Sequence, residues 1–142
     1  MLILLPSLRS TRGLARRLAA GLTGRELLLL SGELGSGKTT FVRYLAAALG
    51  IEPAWVSSPS FTIVQRYPPG VGGIGVTHVD LYRLRTSREL EGLGLEEVLE
   101  SEDLVAVEWP EVGKALWAAS GRPLRSLEFG WNNQKVRQVS LA

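Results

Sequence analysis

The chain has 142 residues, of which 45% are hydrophobic and 21% charged, and its formal net charge is +2 at pH 7. These values are typical of one globular domain over residues 1–142, and they argue against a disordered or repetitive chain. No apolar run approaches the roughly 20 residues that span a membrane, and the absence of cysteine excludes disulfides and thiolate metal sites. The arginines are not interleaved with aromatic residues as in a nucleic-acid stacking platform. We therefore expect a cytoplasmic protein that binds neither a membrane nor DNA.

The first 30 residues predict a strand, a helix and a second strand. Residues 1–5 are apolar and lack a basic start or a cleavage site, so they indicate an edge strand rather than a targeting peptide. A helix is expected over residues 11–20, with Ser10 or Thr11 supplying the N-cap oxygen. Residues 27–30 are four consecutive leucines, which is typical of a strand buried on both faces of a sheet.

A glycine-rich stretch follows this buried strand directly. Residues 32–39 read GELGSGKT and fit the phosphate-binding pattern G-x-x-x-x-G-K-[ST] without a gap. Apolar residues then recur at helical spacing as far as Gly50, which suits a left-handed helix end. Strand, glycine loop and helix in this order predict a phosphate-binding site at the start of the helix.

Each specified residue of that pattern has a chemical reason. Gly35 and Gly37 let the backbone approach phosphate oxygens and direct successive N–H groups inward. Lys38 is placed to reach the β- and γ-phosphates, and the Thr39 hydroxyl is placed to bind magnesium, while Thr40 adds a further hydroxyl.

The remaining elements alternate strands and helices around one inserted hairpin. Residues 61–67 and 76–84 predict two strands joined by the proline- and glycine-rich loop 68–75, which places an antiparallel pair in an otherwise parallel sheet. Residues 87–103 predict one or two short acidic helices, 104–110 a buried strand, and 111–119 a weak helix. Residues 124–129 and 135–141 predict a closing hairpin that turns at 130–134.

Two carboxylates on these strands are candidates for the site. Glu108 follows four apolar residues at the end of a buried strand, where magnesium in such sites finds its carboxylate. Asp80 lies inside an apolar strand, and because a buried aspartate is costly without a partner, it should face a cation, water or hydroxyl. The alternative for Asp80 is a structural pair with Arg83 or Arg85. His78, two residues earlier, is given no role.

Several motifs together resemble the TsaE family, the bacterial ATPases of tRNA threonylcarbamoyladenosine biosynthesis. They are the loop 32–40, the segment 58–62, the run 78–83, the region around Glu89, Leu90 and Gly94, and residues 107–110. The resemblance implies an α/β fold, namely a P-loop NTPase-like three-layer sandwich with a mixed, mainly parallel central sheet and antiparallel hairpin additions. It also implies ATP and magnesium as cofactors.

The resemblance implies roles for individual residues. Thr39 and Glu108 would hold magnesium, Lys38 and Glu108 would serve catalysis, and Asp80 would orient the attacking water or contact the hydrated ion. Thr11 matches a threonine beside the nucleotide base, and Lys135, with Arg137 as the alternative, matches a basic residue that approaches the nucleotide. The phosphates would be bound by Gly35, Ser36, Gly37, Lys38, Thr39 and Thr40. The chain departs from the usual family pattern at Ser60, which replaces threonine, and at 133–134, where Asn-Gln replaces Gly-Arg.

The resemblance further implies an assembly. In this family the ATPase acts with TsaB and TsaD, which transfer a threonylcarbamoyl group to adenosine 37 of tRNA. The ATPase supports or resets that transferase, so its contact with tRNA is indirect.

A phosphate-binding loop of this kind is also typical of other classes of nucleotide-binding protein. A small-molecule kinase normally needs an arginine-bearing lid and an acceptor-binding segment, for which the chain offers little room. A GTPase is disfavoured because the sequence has neither D-x-x-G at 108–111 nor N-K-x-D at 132–135. A nucleotide-gated interaction module with negligible turnover stays open, with the acidic stretch 89–103 as its candidate surface.

Overall fold

The computed structural model describes residues 1–52, 56 and 63–142. The strands are β1 (Leu2–Leu5), β2 (Leu27–Ser31), β3 (Val64–Tyr67), β4 (Val76–Asp80), β5 (Leu104–Glu108), β6 (Leu124–Trp131) and β7 (Arg137–Leu141). The α-helices are α1 (Leu8–Gly21), α2 (Lys38–Ala48), α3 (Leu95–Glu100) and α4 (Lys114–Ala118). Short 3₁₀ helices cover Ser87–Leu90 and Pro110–Gly113. The segment 58–62 lies outside the described residues, as do the first two residues of the strand expected over 61–67.

The strands form one mixed sheet in the order β1-β7-β6-β2-β5-β4-β3. Its centre is parallel, because β2 pairs with both β5 and β6 and β4 pairs with β5 in the same direction. Antiparallel pairs extend it at both sides, with β3 beside β4 and with β7 between β6 and β1. The expected α/β class, the inserted hairpin and the N-terminal edge strand are therefore confirmed.

Helices cover both faces of the sheet and bury its central strands. Leu28, Leu30 and Ala106 point to one side and pack with residues of α1 and α2. Leu27, Val105 and Val107 point to the other side, where residues of α3 and α4 complete a second apolar core. Burial on both faces explains why β2 and β5 are continuous apolar runs rather than alternating ones.

The first helix begins earlier than predicted. α1 starts at Leu8, and its N-cap is Ser7 rather than Ser10 or Thr11. Ser7 Oγ accepts the backbone N–H of Ser10, while Ser10 Oγ accepts the backbone N–H of Ser7, which makes a reciprocal capping box. The prediction took the wrong serine because Ser7, Ser10 and Thr11 are all good caps, and only the reciprocal pair favours the first.

The strand expected over residues 76–84 also ends earlier, at Asp80. The Asp80 carboxylate accepts the backbone N–H of Tyr82 at 3.0 Å, and the N–H of Leu84 bonds the carbonyl of Leu81 at 2.9 Å. These local bonds replace strand pairing, so the chain turns where Asp80 lies.

The closing hairpin turns later than predicted. β6 continues to Trp131 and β7 begins at Arg137, so the turn lies at 132–136 rather than 130–134. The Asn132 side chain accepts the N–H groups of Gln134 and Val136, which places this asparagine at the start of the turn. The two short acidic helices and the weak helix after β5 are confirmed by the Ser87–Leu90, Leu95–Glu100 and Lys114–Ala118 helices.

None of the helices in the described parts of the chain has the length and apolarity needed to traverse a bilayer.

Candidate functional site

The glycine loop joins the carboxyl end of β2 to the start of α2. Gly32 has a φ of +134°, and a Cβ at this position would collide with the backbone carbonyl oxygen of Phe129 on β6. Gly35 and Gly37 also have positive φ, of +80° and +106°. A Cβ would stand in open space at Gly35 and at an ordinary contact distance of 3.9 Å from the Arg137 side chain at Gly37. The loop therefore needs glycine at Gly32 for packing and at the other two positions for backbone conformation.

The N-terminus of α2 presents donors rather than a side-chain cap. Within the described chain, no side chain caps this helix at Gly37, whereas Ser7 caps α1. The first N–H groups of a helix lack intrahelical acceptors, and the helix dipole adds positive potential at this end. Ser36 Oγ is buried and has no hydrogen-bond partner among the described residues. This set of donors suits an anion such as a phosphate group.

Lys38 is held at the mouth of the loop. Its Nζ donates to the carbonyl oxygens of Gly32 and Glu33 and lies 4.2 Å from the centroid of the Trp109 ring. Burial lowers the pKa of Lys38, while the negative charges of Glu108 and Asp80 act in the opposite direction. The ammonium group is thus a desolvated cation in contact with the phosphate loop.

Thr39 and Glu108 meet although they are 69 residues apart. The Thr39 hydroxyl donates to the Glu108 carboxylate, with 3.0 Å to Oε1 and 2.8 Å to Oε2. They meet because β5 lies parallel to β2, with Leu30 opposite Glu108, so the carboxyl end of β5 reaches the first turn of α2. A hydroxyl beside a carboxylate is a donor set that suits a hard divalent cation.

Asp80 stands at the end of β4, in register with Glu108. Burial raises the pKa of Asp80, and the nearby Glu108 charge raises it further. The backbone N–H of Tyr82 and the charge of Lys38 lower that pKa. Asp80 therefore lies among the charged groups of the cleft.

These groups line a cleft with a volume of about 310 Å³. Its walls include the loop residues 34–35 and 37–40, the carboxylates Asp80 and Glu108, and the side chains Tyr82, Trp109 and Arg137. Tyr82 and Trp109 contact each other, with 5.1 Å between their ring centroids. The cleft lies at the carboxyl ends of parallel strands, which is the usual place for ligands in open α/β sheets.

The other candidate residues lie at different distances from this cleft. Arg137 lines it and donates to the Gly35 carbonyl oxygen at 3.2 Å. Lys135, with a φ of +61°, belongs to the hairpin turn and is not among the residues that line the cleft. Thr11 is buried in α1, where its hydroxyl donates to the Ser7 carbonyl oxygen at 3.4 Å, and it does not line the cleft either.

The sequence interpretation gave His78 and Tyr82 no role, although both lie at the site. His78 contacts Glu108, and Tyr82 forms part of the cleft wall. The sequence signal for His78 was its spacing, because residues two apart on a strand face the same side and Asp80 was already a candidate.

Comparison with known proteins gives a consistent family. A family model described as "Threonylcarbamoyl adenosine biosynthesis protein TsaE" matches residues 5–139. The chain is similar to proteins named "tRNA threonylcarbamoyladenosine biosynthesis protein TsaE" from three organisms. The relative from Streptomyces coelicolor is 46% identical over 101 residues, which cover 70% of this chain and 67% of the relative. The Rickettsia felis relative is 36% identical over 81% of this chain and 66% of its own length. The Aquifex aeolicus relative is 41% identical over 79% and 78%.

The match thus spans about two thirds of the length of the first two of these relatives. Among solved structures, the chain is similar to the one titled "Crystal structure of Bacillus subtilus YdiB", with a TM-score of 0.76 over 99% of this chain and 83% of that one. At 24% sequence identity, this similarity establishes the fold alone.

Proposed function

This chain belongs to the TsaE family, and we propose on that basis that it binds and hydrolyses ATP with magnesium in the synthesis of threonylcarbamoyladenosine at position 37 of bacterial tRNA. Its partners in this proposal are TsaB and TsaD, whose chemistry the ATPase supports or resets. The observation that carries the proposal is the contact between the Thr39 hydroxyl and the Glu108 carboxylate, directly beside the phosphate loop.

The residues of the loop would bind the nucleotide. The N–H groups at the start of α2 would donate to the phosphate oxygens, together with the Ser36 hydroxyl, which has no hydrogen-bond partner among the described residues. Lys38 would exchange the carbonyl oxygens of Gly32 and Glu33 for the β- and γ-phosphates. The lysine is already desolvated, so its charge would act strongly on those oxygens.

Thr39 and Glu108 would hold the metal, and Asp80 would orient the attacking water. Magnesium, when bound, neutralises the negative charge that develops on the phosphate oxygens. Asp80 suits its role because burial raises its pKa toward the range useful for a proton acceptor. Among the described arginines, Arg137 is the one that lines the cleft. Its guanidinium already donates a hydrogen bond to the Gly35 carbonyl oxygen.

The exposed rim of the cleft supports the partner proposal. Leu34 and Tyr82 line the cleft, yet they are 68% and 52% exposed. Exposed large apolar side chains that cluster at a site are typical of protein contact surfaces. A partner that covers this rim would exclude water and add charge to the site, so we propose that turnover is slow in isolation and rises in the complex.

Phosphate release by the purified chain, with and without TsaB and TsaD, tests this proposal. We expect a slow magnesium-dependent release alone and a clear acceleration with both partners. Equal rates would contradict partner stimulation, and no release in either case would favour the nucleotide-gated interaction module. Transfer of labelled γ-phosphate to a small acceptor in preference to water would instead favour a kinase.

A further inference from the structure

His78 is buried next to the proposed metal ligand and has no assigned role. It is 1% exposed, in the middle of β4, and its Nε2 lies 2.6 Å from Glu108 Oε2. The same oxygen accepts the Thr39 hydroxyl at 2.8 Å. Glu108, itself 3% exposed, is therefore held between a helix residue on one side and a strand residue on the other.

Packing alone does not explain a histidine at this position. The neighbours Val76 and Val79 on β4 are fully buried and apolar, and an apolar side chain at position 78 would avoid the cost of burying a ring with two polar nitrogens. That cost is offset here because the ring nitrogen contacts a carboxylate that is also shielded from water.

The contact limits the freedom of the Glu108 carboxylate. The last torsion of a glutamate is broad, so the planar group rotates easily when nothing holds it. The Thr39 hydroxyl reaches both oxygens and does not distinguish them. His78 contacts Oε2 specifically, so this contact distinguishes the two oxygens and holds Oε2 toward β4.

We propose that His78 is a positioning residue for the metal site: its Nε2 holds the Glu108 carboxylate in the orientation in which that carboxylate and Thr39 together receive a divalent cation. The inference rests on the proposed function, because it takes Thr39 and Glu108 as the ligands. Outer partners of metal ligands typically contribute about 10–100-fold to metal affinity or activity.

The test compares two amides at position 78. In His78→Gln the amide nitrogen reaches about as far from the backbone as the imidazole Nε2, whereas in His78→Asn it is one methylene too short to contact Glu108. The affinity for a fluorescent ATP analogue is measured at increasing Mg²⁺ concentration. The readout is the Mg²⁺ concentration at which half of the total gain in affinity is reached. We expect a value about 10–100-fold higher for His78→Asn and a value within a few-fold of wild type for His78→Gln. Affinity measured in EDTA should be the same for all three proteins.

Two further measurements keep the result interpretable. Urea unfolding shows whether each variant folds. If His78→Asn does not fold, His78→Leu replaces it, because leucine also cannot make the contact with Glu108 but fits an apolar core. In a Glu108→Gln background, removing the His78 contact should not change the Mg²⁺ requirement further.

The inference is overturned if folded His78→Asn or His78→Leu has the Mg²⁺ requirement of wild type, or if His78→Gln is impaired as much as they are. Failure of the proposed function gives a different result, since wild-type affinity for the analogue would then show no dependence on Mg²⁺, and the inference would fall with it.

Discussion

Glu108 connects α2 and β4 at the centre of the site. It is buried at the end of β5, accepts the Thr39 hydroxyl, contacts His78, and lies in register with Asp80 on β4. It also acts on the neighbouring charges, because it raises the pKa of Asp80 and opposes the lowering of the Lys38 pKa by burial. A change at this one residue should therefore alter metal binding and the charge balance of the cleft together.

Replacing Glu108 should separate hydrolysis from binding. Loss of a residue that only hydrogen-bonds a metal ligand typically lowers activity by about 10–100-fold. Glu108 is proposed to be a ligand itself, so we expect both Glu108→Gln and Glu108→Ala to lower magnesium-dependent hydrolysis by at least this factor. Nucleotide affinity at saturating Mg²⁺ should change less, because the ion contributes more to the transition state than to the bound ground state. Single-turnover hydrolysis and equilibrium binding measure the two effects. Glu128→Gln, the same change at an exposed position on β6, is the matched control. Unchanged hydrolysis would remove Glu108 from the site.

Asp80 should show a conflict between stability and activity. The pKa of Asp80 in the native state is raised above its ordinary value of 3.8, so between these two pKa values the native state holds the proton more tightly than the unfolded state does. The free energy of unfolding of wild type therefore falls as the pH rises through this range. Asp80→Asn keeps an oxygen for the Tyr82 N–H and removes the buried charge, so at pH 7 it should unfold at higher urea concentration than wild type. That advantage should vanish below pH 3.8, where the carboxyl is protonated in both states.

The same substitution should reduce hydrolysis by about 10²-fold or more, since an amide cannot take a proton from water. Urea unfolding of the nucleotide-free protein across pH, and hydrolysis at neutral pH, check both parts. A variant that is less stable than wild type at pH 7 would contradict the stability argument, and full activity would contradict the role in orienting water.

At the scale of elements, the phosphate loop depends on two glycines for different reasons. An alanine at position 32 would have a strained positive φ, and its Cβ would also collide with the Phe129 carbonyl oxygen. An alanine at position 35 would have the strained φ but no collision. We expect Gly32→Ala to destabilise the fold by about 3 kcal/mol or more and Gly35→Ala by about 1–2 kcal/mol. Urea denaturation of the matched pair measures this difference. Equal losses would show that the contact with β6 does not hold the loop.

Elements with a continuous apolar core were predictable, and their ends were not. The strands β2 and β5 and the glycine loop follow from residue patterns that few other structures share. β4 ends where the Asp80 carboxylate accepts the backbone N–H of Tyr82. This local hydrogen bond competes with strand pairing, and the pattern of hydrophobic residues does not indicate it.

Arg122 shows a second limit of prediction at this scale. Nothing in the sequence around Arg122 predicts burial, yet its guanidinium is buried and donates to the carbonyl oxygens of Leu99, Ser101 and Asp103. Those carbonyls come together only where α3 ends and β5 begins, and no local pattern around residue 122 indicates that meeting. Long-range hydrogen bonds to backbone carbonyls are therefore one part of the fold that sequence reasoning missed.

At the scale of the whole molecule, the sheet order explains how distant residues form one cleft. Parallel pairing of β4, β5 and β2 aligns the carboxyl ends that carry Asp80, Glu108 and the phosphate loop. These residues were predictable as candidates because each has unusual chemistry for its position in an apolar strand or glycine loop. The distances between these residues were not predictable. It was also not predictable that Arg137 rather than Lys135 approaches Gly35, because the register of the β6–β7 hairpin decides which basic side chain faces the loop.

Charged groups line the inside of the cleft, and the exposed side chains of Leu34 and Tyr82 lie at its rim. On this ground we propose that the chain acts as an ATP-driven subunit of an assembly. Sedimentation velocity of the chain mixed with TsaB and TsaD, with magnesium and either ATP or no nucleotide, tests this most directly. We predict a joint complex with ATP, none without it, and none for Lys38→Ala in either condition. A complex of equal amount without nucleotide, or one that Lys38→Ala still forms, would contradict the proposal.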